Sequence, residues 1–284
     1  MTNADSRTEA VRRFYTQAPF PGYGARDTLS TLRVRGARSE FARLLDQAIP
    51  AGARVLDLGC GTGQMALYLA ASGDRDVVGA DLTRASLALG AAAARRFGVD
   101  RVTFVETDLR QPALRPGSFD VVLCLGVLHH TPEPAAAFAA VAELARPDGG
   151  VLVIGLYNAY ARIPHRLRRL VARATGFRLF PRDPVLTDRR AEPARRDAWL
   201  RDQYLHPEEH RHTIGDVQRW FRDNGVCYLR TFPSALLADA PLQGNALFTP
   251  ADDDWWLERG LAQLGWMTSL AREGGLFVAV GRRA

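Results

Sequence analysis

Two rhythms of apolar and polar positions alternate along the middle of the chain. Short, nearly continuous apolar runs occur at 54–58, 77–81, 102–106, 119–125 and 151–154. Between several of them lie stretches with helical spacing, at 65–72, 85–97 and 134–145, the last stopped by Pro147-Asp-Gly-Gly150. A strand that is apolar on both faces is covered on both, so the pattern predicts a parallel α/β sheet with helices on either side. Beyond Tyr157 the rhythm breaks. Residues 158–212 are rich in Arg and punctuated by Pro, with a helix predicted at 164–174. That helix gathers Ile163, Leu167, Leu170 and Val171 on one side, which predicts packing on the core with a basic face in water. An interfacial helix making peripheral membrane contact is the alternative. Regularity returns at Thr213, an N-cap for a helix over 214–224 that Gly225 closes, followed by strands at 226–232 and 275–281. Between those strands lie Phe248, Trp255, Trp256 and Trp266, and the three tryptophans read either as core or as the wall of a pocket for a bulky apolar acceptor. The chain divides into an N-terminal cap, 1–48, and a domain, 49–284, with insertions at 158–212 and 235–274.

Composition adds little beyond exclusions. The 284 residues are 47% hydrophobic and 24% charged, as in ordinary globular chains. No apolar run is long enough for a membrane span, and the polar start lacks the apolar stretch of a secretory signal. Cys60, Cys124 and Cys227 are too far apart for a zinc pattern or a disulfide framework, which together with the start predicts a cytoplasmic setting. The formal charge is +6, every basic residue being Arg. Richness in Ala, Arg, Gly and Pro reads more simply as a coding bias than as a site for a polyanion, so nucleic acid is not the expected partner.

Val55-Leu-Asp-Leu-Gly-Cys-Gly-Thr-Gly63 carries the chemistry. A strand runs into glycines at alternate positions and then directly into a helix, so backbone can approach a ligand beside a positive helix end. Dinucleotide enzymes use a similar turn with a different spacing, G-x-G-x-x-G. Asp57 separates the two readings, since a carboxylate there repels a pyrophosphate and attracts a cation. S-adenosylmethionine has a sulfonium, an ammonium and a carboxylate. Asp57 suits its cationic side, and the loop amides suit its carboxylate. Asp81 ends the second strand at the interval where an acid binds ribose hydroxyls. Asp108 follows the third, where its carboxylate suits an adenine amino group. Each acid could alternatively cap the following helix, but three in register with the glycines point to one crevice.

These residues, with Gly79-Ala-Asp81, Asp108-Leu109, Phe119-Asp-Val-Val122, Val127-Leu-His-His130 and Arg146-Pro-Asp-Gly-Gly-Val-Leu152, resemble the class I S-adenosylmethionine-dependent methyltransferases, especially small-molecule and quinone- or lipid-type enzymes. The resemblance implies a Rossmann-like, seven-stranded, mostly parallel sheet whose antiparallel last strand, 275–281, lies beside the fifth. It implies a helical N-terminal segment and lid insertions. It also implies cofactor contacts from Asp57, Gly59, Cys60, Gly61, Gly63, Asp81, Leu82, Asp108, Leu109 and Leu125. In similar enzymes an N-terminal segment closes over the cofactor, which makes Tyr15 the candidate for the methionine carboxylate; packing at the sheet edge is the plainer alternative.

Methyl transfer is an in-line displacement, so the protein must position, desolvate and sometimes deprotonate the acceptor. His129 and His130 follow the fourth strand, at the mouth of the crevice, and imidazole has a suitable basicity. His206-Pro-Glu-Glu-His-Arg-His212 matches no standard zinc spacing and reads as a polar turn lining the acceptor entrance; no metal is expected. The expected acceptor is a metabolite, natural product or lipid-like molecule, with a peptide or RNA as the alternative. Against nucleic acid, the fourth strand lacks the Asn/Asp-Pro-Pro-aromatic signature of base amino methylation, and no RNA-binding motif is present.

Overall fold

The computed structural model describes residues 2–180, 183, 186–187, 193–236, 242–251, 256–270 and 274–284. Among them, seven strands form one sheet: β1 (Arg54–Leu58), β2 (Asp76–Asp81), β3 (Val102–Glu106), β4 (Val121–Leu125), β5 (Val151–Tyr157), β6 (Val226–Phe232) and β7 (Leu276–Arg283). Their order is β3-β2-β1-β4-β5-β7-β6, and β7 runs antiparallel to both neighbours. The mostly parallel sheet with a reversed last strand beside the fifth is therefore present.

The fourth strand starts later than its apolar run. Asp120 accepts a hydrogen bond from the Arg54 N–H and pairs with Arg146, while Phe119 makes only an isolated bridge to Ala145.

Alternation along the strands divides the core. Val55, Val121, Leu123 and Val153 face α3 (Glu40–Ala48) and α4 (Gln64–Ser72), where Leu44, Leu45, Leu67 and Leu69 are buried. Leu56, Val122, Leu152 and Ile154 face α6 (Pro134–Ala142) and α9 (Ile214–Asp223), meeting Phe138, Val141, Val217 and Phe221. Burial of each such side chain contributes about 1.5–3 kcal/mol. Parallel pairing brings the carboxyl ends of β1 to β5 to one edge, and the strand order reverses between β1 and β4, which opens a crevice there.

Within the N-terminal segment, α1 (Asn3–Gln17) crosses above that edge, whereas α2 (Leu29–Arg38) and α3 pack toward α4. The remaining helices are α5 (Arg84–Phe97), α7 (Ile163–Ala174), α8 (Pro193–Leu200) and α10 (Trp256–Ser269).

Helix α7 inverts the packing expected of it. Leu167 and Leu170 are 61% and 66% exposed and Val171 also faces water, while Arg162 at its N-cap and His165 are buried. The polar side turns inward because partners wait there: Glu209 for Arg162 and Arg169, and the Gln203 carbonyl for His165. Ion pairs to Glu209 and the His165 hydrogen bond outweigh the apolar stripe. Trp266 and Phe248 are core, Trp266 lying against Phe277, and Trp256 is exposed. Trp255 lies outside the described residues.

Thr213 caps α9 as expected, in a reciprocal box with Asp216. Thr213→Ala is expected to cost about 1 kcal/mol, read as a lower urea midpoint with an unchanged slope.

Candidate functional site

Beyond β1 the chain turns through Gly59 and Gly61, both at positive φ (77° and 55°). At Gly61 a Cβ would fall on the carbonyl oxygen of Phe20, so the absence of a side chain lets the segment after α1 lie directly on the loop. Gly63, also at positive φ, is the N-cap of α4.

The loop amides are not open to a ligand, contrary to the sequence expectation. Those of Gly59 and Cys60 donate to the Ala80 carbonyl, Gly61 to Asp81 Oδ2, Thr62 to the Phe20 carbonyl, and Gly63 to the Cys60 carbonyl. The end of β2 and the segment after α1 take most of these donors, leaving shape rather than free N–H groups as the loop's contribution.

A cavity of about 500 Å³ opens over this loop. Tyr15, Asp57, Gly59, Cys60, Gly61, Asp81, Leu82, Asp108, Leu109, Leu125 and His130 all line it. Gly63 and His129 do not. Three strand ends thus converge, as the crevice argument required.

Their electrostatics differ. Asp57 is 4% exposed, its Oδ2 has no hydrogen-bond partner, and burial pushes its carboxyl up to about 7. Asp81 is raised by burial too, against hydrogen bonds from Thr83 and Gly61. Asp108 is held by the Arg110 guanidinium at 2.7 Å and by its backbone N–H at 2.9 Å, and Arg110 continues toward Asp5 of α1 at 3.5 Å. The carboxylate expected to stand open is thus already paired, and the pair ties the cap down.

The histidines part company. His129 is fully buried, stacked on Tyr157 at 3.9 Å between ring centroids, with Nδ1 accepting the Tyr157 N–H. It faces the interior because the three-residue 3₁₀ turn Leu128–His130 sends consecutive side chains different ways. His130 reaches the cavity. Its Nδ1 lies 2.6 Å from the Glu208 carbonyl; a carbonyl only accepts, so Nδ1 carries the proton and Nε2 keeps its lone pair. Burial lowers His130 to about 4, so it is neutral near pH 7.

Sequence reasoning missed the third wall. Trp199, Asp202 and Gln203 come from the insertion, the last two on a π-helical turn, Arg201–Leu205. Asp202 accepts from Tyr15 Oη at 3.1 Å, and Glu208 binds Arg7 of α1 at 2.7 Å. Tyr157, at the end of β5, also lines the cavity. No spacing marks these residues; only the return of the insertion over β5 gathers them. His206, expected to line an entrance, lies buried behind the wall, packed on His130 at 3.7 Å.

Residues 55–149 match the family model described as a methyltransferase domain. An uncharacterized protein of Synechococcus is 31% identical over 259 residues, 79% of this chain and 60% of that one. The ubiquinone biosynthesis O-methyltransferase of Sodalis glossinidius is 32% identical over 165 residues, 58% of this chain and 63% of that one. The chain therefore spans about 60% of the length of these relatives. The magnesium protoporphyrin IX methyltransferase of Synechocystis, solved with bound SAH, shares the fold: TM-score 0.52 and 18% identity over 99% of this chain and 95% of that one.

Asp57 gives a pH signature. A folded-state value raised from 3.8 to about 7 means the folded protein holds this proton more tightly than the unfolded chain. Its contribution is therefore present below the unfolded value and lost as pH rises through about 7. Relative to Asp57→Asn, the ligand-free protein is expected to lose melting temperature between pH 5 and pH 8. Parallel pH profiles for the two proteins would refute the buried carboxyl with its unpartnered Oδ2.

Proposed function

Because the chain belongs to the class I S-adenosylmethionine-dependent methyltransferase family, we propose that its cavity binds S-adenosylmethionine and methylates a small-molecule acceptor. The carrying observation is the convergence of Asp57, Asp81 and Asp108 on one cavity whose far wall bears His130 and Tyr157. An unpartnered buried carboxylate oxygen fits a cationic ligand and opposes a pyrophosphate. S-adenosylmethionine supplies the electrophilic methyl carbon.

Each residue then has a task. Asp57 faces the cationic methionine end, beside the turn shaped by Gly59, Cys60, Gly61 and Gly63. Asp81 offers its remaining lone pairs to ribose hydroxyls, with Leu82 alongside. Asp108 and Leu109 border the adenine, and Leu125 packs against the cofactor. Tyr15 and the rest of α1 cover the methionine end as a lid within the 1–48 cap, tied across the cavity by Asp202 and Glu208.

His130 is the candidate catalytic base. Its fixed tautomer presents Nε2, and its neutrality keeps that lone pair available. His129 supports the ring from behind.

Several observations support a small, largely apolar acceptor. Val11, Pro132 and Leu276 line the space beyond the loop, and α1 covers it, leaving little room for a folded macromolecule. Among the described residues no helix is long and apolar enough to cross a membrane. The exposed Leu167 and Leu170, with Arg166 and Arg173 nearby, are the surface a peripheral membrane contact would use. Three unpaired cysteines suit a cytoplasmic setting.

Calorimetry is expected to show S-adenosylhomocysteine binding and no NAD binding; the reverse would reject the assignment. His130→Ala is expected to leave that binding within about twofold and to lower turnover at least 10²-fold, within the usual range for a general base. Undiminished turnover would remove His130 from the chemistry.

A further inference from the structure

Arg162 is 0% exposed, although it carries a charge and sits at the start of an insertion. Its Nη2 donates to Glu209 Oε2 at 2.7 Å. Its Nη1 donates to the Gly274 carbonyl at 3.0 Å and to Gln203 Oε1 at 2.5 Å. The guanidinium carbon lies 3.9 Å from the centre of the Tyr157 ring.

The contact with Gln203 decides a direction. Guanidinium only donates, so the amide oxygen of Gln203 faces Arg162 and the NH2 group faces the other way. One N–H then goes to Tyr157 Oη at 2.8 Å, and the other to Asp202 Oδ2 at 2.7 Å. Tyr157 Oη is thereby an acceptor toward Gln203, which leaves its own proton to donate elsewhere. Asp202 already accepts from two neutral donors, Gln203 and Tyr15, and retains lone pairs on both oxygens. Both Tyr157 and Asp202 line the cavity.

We propose that Arg162, acting through Gln203, is a positioning residue that sets the polarity of the acceptor subsite, a Tyr157 hydroxyl donor beside an Asp202 carboxylate acceptor. The subsite takes an uncharged molecule carrying a hydrogen-bond donor and an acceptor, and turns away anions. Charge supports the second half. The cavity is lined by Asp57, Asp81, Asp108 and Asp202, and Arg110, the one Arg lining it among the described residues, is engaged by Asp108. A carboxylate or phosphate on the acceptor meets the Asp202 carboxylate and no open cationic side chain among the described residues. This assignment rests on the methyltransferase reading, because it takes this end of the cavity as the acceptor's.

Phenol and benzoate form a minimal pair: the same ring, one neutral with a donor and an acceptor, the other an anion. Saturation-transfer NMR, with and without S-adenosylhomocysteine, is expected to show phenol and not benzoate bound to the native protein. Gln203→Leu should weaken phenol at least fivefold while S-adenosylhomocysteine affinity stays within twofold. Asp202→Asn should admit benzoate. Arg162→Lys, which keeps a donor toward Gln203, should retain more phenol binding than Arg162→Met. Because Arg162→Met leaves the buried Glu209 with Arg169 as its remaining ion-pair partner and can unfold the protein, Arg162→Met with Glu209→Gln is its folded comparison.

Equal binding of benzoate and phenol to the native protein overturns the proposal, as does phenol binding that is indifferent to Gln203→Leu. Absence of S-adenosylhomocysteine binding by the native protein instead overturns the family-based reading of the cavity, and with it the acceptor assignment.

Discussion

The far wall of the cavity hangs on one guanidinium enclosed by protein. Taking a charge out of water costs several kcal/mol unless partners replace the solvent. Arg162 finds them in Glu209, Gln203, the Gly274 carbonyl and the face of Tyr157. Those partners come from the insertion, from the turn before β7 and from the end of β5, so satisfying one charge joins three separate stretches of chain. The inversion of α7 follows from the same constraint: it turns Arg162, His165 and Arg169 inward and leaves leucines in water.

The two ends of the cavity are built on different physics. At the glycine loop most backbone donors are taken by β2 and the segment after α1, and the side facing the cavity carries a desolvated acid, Asp57. At the other end, recognition falls to side chains whose proton positions are dictated by obligatory donors and acceptors. His130 takes its tautomer from a carbonyl, and Gln203 takes its orientation from Arg162. Helix α1 belongs to both ends. It meets Arg110 through Asp5, Asp202 through Tyr15 and Glu208 through Arg7, so both ends of the cavity share one cover.

Burial of uncharged histidines ties the wall to pH. Desolvation lowers His130 to about 4 and His206 to about 3, and pushes His129 down as well. Groups depressed in this way contribute stability above the unfolded value of 6.5 and lose it as pH falls toward the folded values. The slope is opposite to that of Asp57, so acid weakens the far wall and a rise toward neutral pH weakens the loop.

Local order was written in the chain itself. Apolar runs too continuous for a one-sided sheet specify buried parallel strands, and the spacing of Asp57, Asp81 and Asp108 against the glycines specifies a crevice at their ends, because both follow from short-range geometry. What lies across from that crevice was not legible. Asp202, Gln203 and Trp199 sit in a stretch without periodicity, and the histidine pair gives no sign that only His130 reaches the cavity. Whether a leucine or an arginine faces inward on α7 depends on which carboxylates and carbonyls the rest of the fold brings near, and those partners lie tens of residues away. Amphipathic spacing determines that a helix forms; long-range satisfaction of buried charge decides which side it hides.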